Sequence, residues 1–68
     1  MDIKKTGLKI RVARIKAGLS QTDLAERMNV KQATVSLWEL GRNLPKASNI
    51  VRLSELLNIP VEELLKAG

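Results

Sequence analysis

Residues 20–41 read SQTDLAERMNVKQATVSLWELG and predict two short helices separated by a three-residue break. The first helix is expected over about Gln21 to Met28, and residues 29–31 form the break. The second helix is expected over about Gln32 to Leu40, where Gly41 ends it, because glycine readily takes the left-handed conformation found just past a helix. Two helices joined this tightly must pack together as one unit.

The start and the end of the first of these helices carry recognisable capping chemistry. The Ser20 hydroxyl can accept from the free backbone N–H groups two or three residues on, and Asp23 completes an S-x-x-D capping box. Asn29 is one of the few residues other than glycine that tolerate the left-handed conformation of a tight exit. These local signals fix where the helix begins and where it ends.

The second helix has a small and mostly polar outer side. The apolar residues that can close over one another between the two helices are Leu24, Met28, Val30, Val35 and Trp38. The residues left on the outer side are Gln32, Ala33, Ser36 and Leu37. This arrangement is typical of the helix-turn-helix unit, whose second helix enters the major groove of DNA.

Length and composition restrict the classes of function. The chain has 68 residues, so we expect one domain over residues 1–68. It has no Cys and no His, and we therefore expect no enzyme, no metal site and no cofactor. The net charge of +5 favours an anionic partner, with nucleic acid first. No apolar run approaches the roughly 20 residues of a membrane span, and the N-terminus lacks the apolar core of a signal peptide.

The segment from Asp2 to Ala17 predicts a first helix with two apolar rows and a cap at Asp2 or Thr6. The inward row at helical spacing consists of Thr6, Ile10, Ala13 and Ala17. A second row lies about a third of a turn or more away and consists of Leu8, Val12 and Ile15. Either one of the two rows is incidental or covered by the C-terminal segment, or the second row forms a face for a dimer or another partner.

The rest of the chain is also helical in pattern. A fourth helix is expected over about Lys46 to Leu57, because Pro45 is well placed just before a helix. A fifth is expected over Val61 to Lys66, after Pro60. No segment shows the period-two alternation of a strand, so the predicted fold class is all-α with five short helices.

Taken together, the chain resembles the phage-repressor and Cro-like (XRE) helix-turn-helix family of transcriptional regulators. The residues that match its pattern cover nearly the whole chain and include Gly18-Leu19-Ser20-Gln21, Asp23-Leu24-Ala25, Thr34-Val35-Ser36, Trp38-Glu39, Leu44-Pro45 and Leu57-Asn58-Ile59-Pro60. The resemblance implies a compact five-helix, lambda-repressor-like domain in the cytoplasm of a prokaryote, or encoded by a phage. It also implies a homodimer, often formed through about Leu57 to Leu65, that binds a near-palindromic DNA operator and usually represses transcription.

The resemblance assigns base recognition to the outer side of the second motif helix. In similar proteins the position of Gln32 reads a base edge, and a Gln amide can both donate to and accept from adenine. Ala33 and Leu37 lie one turn apart and are expected to contact thymine methyl groups. Leu37 can instead pack on the protein itself or on a dimer partner. Ser36 lies beside them and can bond a base or a phosphate.

Phosphate contacts are expected at both ends of the motif. The family places Gln21 against a phosphate, as a helix N-terminus also favours. Arg42, Asn43 and Lys46 follow the recognition helix and resemble a second phosphate clamp, to which Lys31 adds charge. The family generally has Ser or Thr where Lys31 stands, and Lys31 cannot accept the capping hydrogen bond. We therefore expect this cap to be lost or replaced.

The resemblance also places Arg14 beside Glu39 as a structural ion pair. A bidentate contact between a guanidinium and a carboxylate would fix the angle between the first helix and the recognition helix. Trp38, the only aromatic residue, is expected in the core and not stacked on a base.

Two functions remain open at this point. The first is a dimeric, sequence-specific regulator of transcription. The second is a protein-interaction module, such as an antitoxin, in which DNA binding is secondary. The row of Leu8, Val12 and Ile15 motivates the second function, as do Leu37 and Leu40, where the family usually has polar residues. No small-molecule effector site is expected in this chain.

Overall fold

The computed structural model describes residues 2–66 and contains five α-helices in the expected order. They span Ile3–Lys16 (α1), Gln21–Met28 (α2), Gln32–Glu39 (α3), Ala47–Leu57 (α4) and Val61–Leu65 (α5). No strand occurs between residues 2 and 66, so the all-α prediction is confirmed. Some expected helix ends were one residue too long, because they included residues that the structure places at the caps. No helix in this range has the length and apolar character needed to cross a membrane.

All five helices contribute to one hydrophobic core. Each supplies one side chain with no exposed surface, and these are Ile10, Leu24, Val35, Leu53 and Leu64. Complete burial of an aliphatic side chain of this size stabilises a fold by about 1.5–3 kcal/mol. In α5, which is only five residues long, Leu64 is the buried side chain that joins the helix to the core.

The first helix differs from expectation at its C-terminal end. Asp2 is the N-cap, and its carboxylate accepts from the backbone N–H groups of Lys4 and Lys5. Thr6 is buried instead, and its hydroxyl donates to the Leu64 carbonyl at 2.8 Å. The prediction that Ala17 faces the core is wrong, since Ala17 is exposed. It is the C-cap of α1, where the chain turns away into Gly18 with φ of 75°.

A close approach between α1 and the end of α3 occurs at Gly7. A methyl group added at Gly7 would lie 2.8 Å from the Glu39 carbonyl oxygen and closer still to that of Trp38. Only glycine therefore allows the backbones to come this near, a requirement that the sequence analysis did not identify. The contact seats the last turn of α3 on α1 and so fixes the direction in which α3 points.

The second apolar row of α1 is not covered by the C-terminal segment. Leu8, Val12 and Ile15 are between 43% and 57% exposed. The alternative in which the C-terminal segment covers this row is therefore wrong. The last helix packs on a different side of α1, where Thr6 and Lys9 bond to Leu64 and Glu63.

Candidate nucleic-acid interface

The first helix of the motif begins with a complete capping box. The Ser20 hydroxyl accepts from the backbone N–H of Asp23 at 2.9 Å, and the Asp23 carboxylate accepts from the backbone N–H of Ser20, also at 2.9 Å. The hydrogen bond from the Ser20 backbone N–H to the Asp23 carboxylate is the largest cause that lowers the pKa of Asp23 below its ordinary value, and interaction of the carboxylate with the Ser20 side chain lowers it further. At the other end, Asn29 has φ of 55°, the left-handed conformation expected for a tight exit.

The recognition helix α3 begins differently. Its N-cap is Lys31, whose side chain makes no capping hydrogen bond. The cap that the family generally has at this position is therefore absent, as expected. Lys46, the N-cap of α4, likewise makes no side-chain capping hydrogen bond. In both helices no side chain of the N-cap accepts from the backbone N–H groups of the first turn. The residue beside these N–H groups is a cation, Lys31 in α3 and Lys46 in α4.

The two sides of α3 are sharply different in burial. Val35 and Trp38 are buried in the core, which places the only aromatic residue where it was expected. On the opposite side Gln32 and Ala33 are exposed, and Ser36 and Leu37 are half-buried. All four residues predicted to read bases thus lie on one outer face of α3. This face is most exposed at the N-terminal end of the helix, where Gln32 and Ala33 lie.

A buried ion pair joins α1 to the end of α3. Arg14 Nε donates to Glu39 Oε2 at 2.6 Å, and Arg14 Nη2 donates to Glu39 Oε1 at 3.0 Å. The two side chains are only 12% and 3% exposed. Arg14 Nη1 also donates to the Leu19 carbonyl at 2.9 Å. The hydrogen bonds to the carboxylate raise the pKa of Arg14, although burial opposes this shift.

Gln21 lies between this ion pair and the outer face of α3. Gln21 Nε2 donates to Glu39 Oε1 at 3.0 Å, and Gln32 Nε2 donates to Gln21 Oε1 at 2.6 Å. Gln21 was predicted only as a phosphate contact, and neither of these bonds was expected. Gln21 lies 18 positions from Glu39 and 11 positions from Gln32. Helical periodicity predicts contacts only between residues three or four positions apart, so it does not indicate either pair.

The side chains predicted to contact phosphate occupy two places. Lys31 stands at the start of α3 and is exposed. Arg42, Asn43 and Lys46 follow α3 and are exposed too. The backbone N–H groups of Arg42 and Asn43 donate to the Leu37 carbonyl, which holds this loop against the C-terminal end of α3. Among residues 2–66, none of these cationic side chains forms an ion pair.

Over the described part of the chain, no group of three or more His, Cys, Asp or Glu residues is placed to hold a metal ion. The polar groups of the predicted base and phosphate contacts are three amides, one hydroxyl and three cations, which belong to Gln21, Gln32, Asn43, Ser36, Lys31, Arg42 and Lys46. Such groups suit hydrogen bonding to base edges and phosphates.

The sequence model of the helix-turn-helix family matches residues 10–64. Among curated proteins, an uncharacterized HTH-type transcriptional regulator of Sinorhizobium medicae is 34% identical over 55 residues. That match covers 81% of this chain but 40% of the relative, so the chain spans less than half the length of that protein.

Solved structures of the same architecture are also similar. The restriction-modification controller protein C.AhdI from Aeromonas hydrophila is 33% identical with a TM-score of 0.83, covering 93% of this chain and 96% of that one. The BldD DNA-binding domain of S. venezulae is 28% identical with a TM-score of 0.78, covering 93% and 94%. By their names, these similar proteins are a transcriptional regulator, a restriction-modification controller protein and a DNA-binding domain. The chain belongs to the helix-turn-helix family.

Proposed function

We propose that residues 1–68 form a single domain that binds double-stranded DNA sequence-specifically. On this proposal it acts as a Cro-like transcriptional repressor in the cytoplasm of a prokaryotic or phage-infected cell. The observation that carries the proposal is the outer face of α3, where Gln32 and Ala33 are exposed while Val35 and Trp38 anchor the opposite side. A helix held from one side and open on the other can lie in a major groove, which is about 12 Å wide.

Base recognition on this proposal comes from the outer face of α3. Gln32 retains an amide oxygen and a second N–H, which together match the N6 and N7 groups of adenine. A good bidentate contact of this kind discriminates against a wrong base by about 1–3 kcal/mol. Ala33 and Leu37 offer apolar contact to thymine methyl groups, and Ser36 can bond a base or a phosphate. The half-site should therefore contain an adenine with a thymine nearby.

Phosphate contacts come from the ends of the motif. Gln21 at the start of α2 and Lys31 at the start of α3 lie where a helix N-terminus attracts an anion. Arg42, Asn43 and Lys46 form the second group, after α3. These contacts would orient the domain on the duplex but would not read sequence. Each phosphate neutralised by a cation should add about 0.9 to the slope of log affinity against log salt.

A second copy of the chain would bind at an apolar patch on α4, α5 and the loop before α4. Leu44, Val51 and Leu65 are between 40% and 49% exposed there, around a shallow groove of about 310 Å³. The remaining lining residues are Pro45, Ala47, Ile50 and Val61. Because no charged residue lines this groove, two copies can meet without burying charge. The patch overlaps the expected dimer region, 57–65, only in part.

Selection of bound sites from a pool of random duplexes tests the proposal. The expected product contains two copies of one half-site in two-fold symmetry, with centres about one helical turn apart. Binding to random duplex should also weaken steeply as salt is raised. Absence of any enriched site, together with absence of salt-dependent binding at low salt, would refute a DNA-binding function.

The second candidate, a protein-interaction module, is favoured by one observation. A groove of about 670 Å³ lies between α1 and the connection from α4 to α5, and the exposed residues Leu8 and Val12 line it. Lys5, Arg11 and Lys16 are exposed beside the row of Leu8, Val12 and Ile15. Two copies of this chain meeting here would bring cations together. The partner that fits is therefore an acidic amphipathic segment of another protein. If the chain is an antitoxin, this segment would belong to its toxin.

A designed amphipathic peptide tests this second candidate. One version carries a leucine stripe flanked by Glu, and the matched version carries Lys in place of Glu. The Glu version should bind the wild-type chain, and Leu8→Gln with Val12→Gln should weaken binding by about tenfold or more. Equal binding of both versions, or no effect of the two substitutions, would exclude this face as a specific docking site.

A further inference from the structure

A continuous chain of hydrogen bonds leads from the buried ion pair to the outer face of α3. It starts at Arg14, passes through the Glu39 carboxylate to the Gln21 amide, and ends at the Gln32 amide. The two outer steps are Gln21 Nε2 to Glu39 Oε1 at 3.0 Å and Gln32 Nε2 to Gln21 Oε1 at 2.6 Å. These hydrogen bonds therefore connect the exposed side chain of Gln32 to the side chain of Glu39, which is only 3% exposed.

The direction of each bond in this chain is set from its inner end. A guanidinium can only donate and an ionised carboxylate can only accept. The atom of Gln21 that faces Glu39 must consequently be its NH₂ group, and its oxygen must face Gln32. Gln32 in turn has to present its NH₂ group to Gln21. Neither amide can turn over without placing two acceptors or two donors against each other.

The inner end is itself held firmly. Arg14 contacts both oxygens of Glu39 and also donates to the Leu19 carbonyl at 2.9 Å. Bidentate pairs of this kind add geometric specificity as well as energy. Burial of both side chains leaves little room for water to replace Gln21 as the partner of Glu39 Oε1.

The direction of the Gln32 amide decides what it offers to a base. With its NH₂ group turned to Gln21, Gln32 offers one acceptor oxygen and one remaining N–H donor. Adenine presents a donor at N6 and an acceptor at N7 in the major groove, which match this pair, whereas guanine presents two acceptors, O6 and N7. A Gln32 amide turned the other way would direct its oxygen to Gln21 and both N–H groups of its NH₂ toward the base, which would match the two acceptors of guanine.

We propose that Glu39 is a positioning residue for base recognition, which through Gln21 directs the Gln32 amide to select adenine over guanine without contacting DNA. The inference rests on the proposed function, since it concerns how the groove-facing residue is directed. It assigns the Arg14–Glu39 pair a second role besides joining α1 to α3.

Two substitutions separate this role from a purely structural one. In Glu39→Gln, either orientation of the new amide places its NH₂ group against one Arg14 donor. The bond from Arg14 Nε, at 2.6 Å, is shorter than the bond from Nη2, at 3.0 Å, so we expect the oxygen to stay at Nε and the NH₂ group to face Gln21. Gln21 then turns over, Gln32 follows, and the preference should move from adenine toward guanine. Gln21→Met keeps the length of the side chain and the ion pair but removes the connection, so the preference should be lost without being reversed.

The measurement is the ratio of Kd values for two duplexes that differ only by G·C in place of the A·T pair read by Gln32. The wild-type chain should prefer A·T by about fivefold or more. Gln21→Met should bring the ratio close to one, and Glu39→Gln should bring it below one. Lys31→Ala is the matched control for a lost phosphate contact and should weaken both duplexes equally. Ser20→Ala destabilises the start of α2 outside the chain of bonds and should keep the wild-type ratio.

Circular dichroism at the binding temperature establishes that each variant is folded. If Glu39→Gln is not folded, an unchanged ratio in Gln21→Met still overturns the proposal, because the connection from Glu39 passes through Gln21. A wild-type ratio in the folded variants would overturn the proposal. Gln32→Ala separates that result from failure of the proposed function. If Gln32→Ala abolishes the preference while the other variants retain it, only the role of Glu39 is refuted. If Gln32→Ala has no effect, base reading by Gln32 is itself refuted, and the positioning role with it.

Discussion

The two helices of the motif have the same length, eight residues, but are stabilised in different ways. α2 begins with the Ser20–Asp23 capping box and ends at a left-handed Asn29, so its ends are defined by its own residues. α3 begins at Lys31 without a side-chain cap. Its position depends on contacts from elsewhere in the fold, namely burial of Val35 and Trp38 and the pairing of Glu39 with Arg14.

This difference shows how a helix can be held in place while its N-terminal end and outer face stay exposed. A capping side chain at the start of α3 would occupy backbone N–H groups that can instead face a phosphate. The stabilisation that the cap would have supplied comes from the inner face of the helix. The outer face does not contribute to the core, so residues such as Gln32 are free to bind DNA on the proposed function.

Of the substitutions that test this comparison, removal of the Glu39 carboxylate should change the free energy of unfolding most. Glu39→Ala leaves the Arg14 guanidinium buried without its partner, at a cost of about 3 kcal/mol in the free energy of unfolding. Urea denaturation measures it. Glu55→Ala, the same substitution at an exposed position of α4, is the control and should cost less than about 0.5 kcal/mol. A Glu39→Ala variant as stable as the wild type would show that α3 does not depend on the pair.

Removal of the cap on α2 should have a smaller effect. Ser20→Ala deletes the hydroxyl that accepts from the Asp23 N–H, and loss of such a cap costs about 1 kcal/mol. The loss should appear in the free energy of unfolding while the affinity of the folded protein for DNA remains unchanged. Thr22→Ala, two residues further along the chain and exposed, serves as the control. Equal stability of the two variants would mean that α2 is not held by its own cap.

Restoring a cap to α3 should produce an opposite and still smaller change in stability. Lys31→Ser places a hydroxyl where it can accept from the first turn of α3, for a gain of about 0.5 kcal/mol. At the same time the variant loses a cation near the DNA, so its affinity at low salt should fall. A joint measurement of urea denaturation and DNA binding checks both signs. An increase in affinity would contradict the view that the open N-terminus of α3 serves binding.

The capping box also predicts a modest dependence of stability on pH. Since hydrogen bonds from Ser20 lower the pKa of Asp23 in the folded protein, its contribution is fully present above the ordinary pKa of 3.8. The contribution should decline as the pH falls from there toward the lower folded-state pKa. Asp23→Asn lacks this titration, so the difference in unfolding free energy between wild type and variant should shrink below pH 3.8. A difference that stays constant down to pH 2 or so would contradict the assignment.

Sequence alone predicted the parts of this structure that depend on local signals. The bounds of α2 were correct because Ser20, Asp23 and Asn29 mark them within a few residues. The Arg14–Glu39 pair was expected only through resemblance to a family, since nothing in the spacing of the two residues indicates contact. Gly7 and the bonds of Gln21 were missed because they depend on how α1, α2 and α3 cross. Ala17 was misplaced because helical spacing does not show where a helix turns out of the core.

The most direct test of the account is whether truncation of Gln32 removes one base preference and no other. Sites should be selected from the same random duplex pool by the wild-type chain and by Gln32→Ala in parallel. We predict that the wild type enriches two symmetric half-sites, each with one strongly preferred adenine. The variant should keep the spacing and the other positions but lose that adenine. Identical enriched sites from the two proteins would contradict the claim that the exposed face of α3 reads DNA.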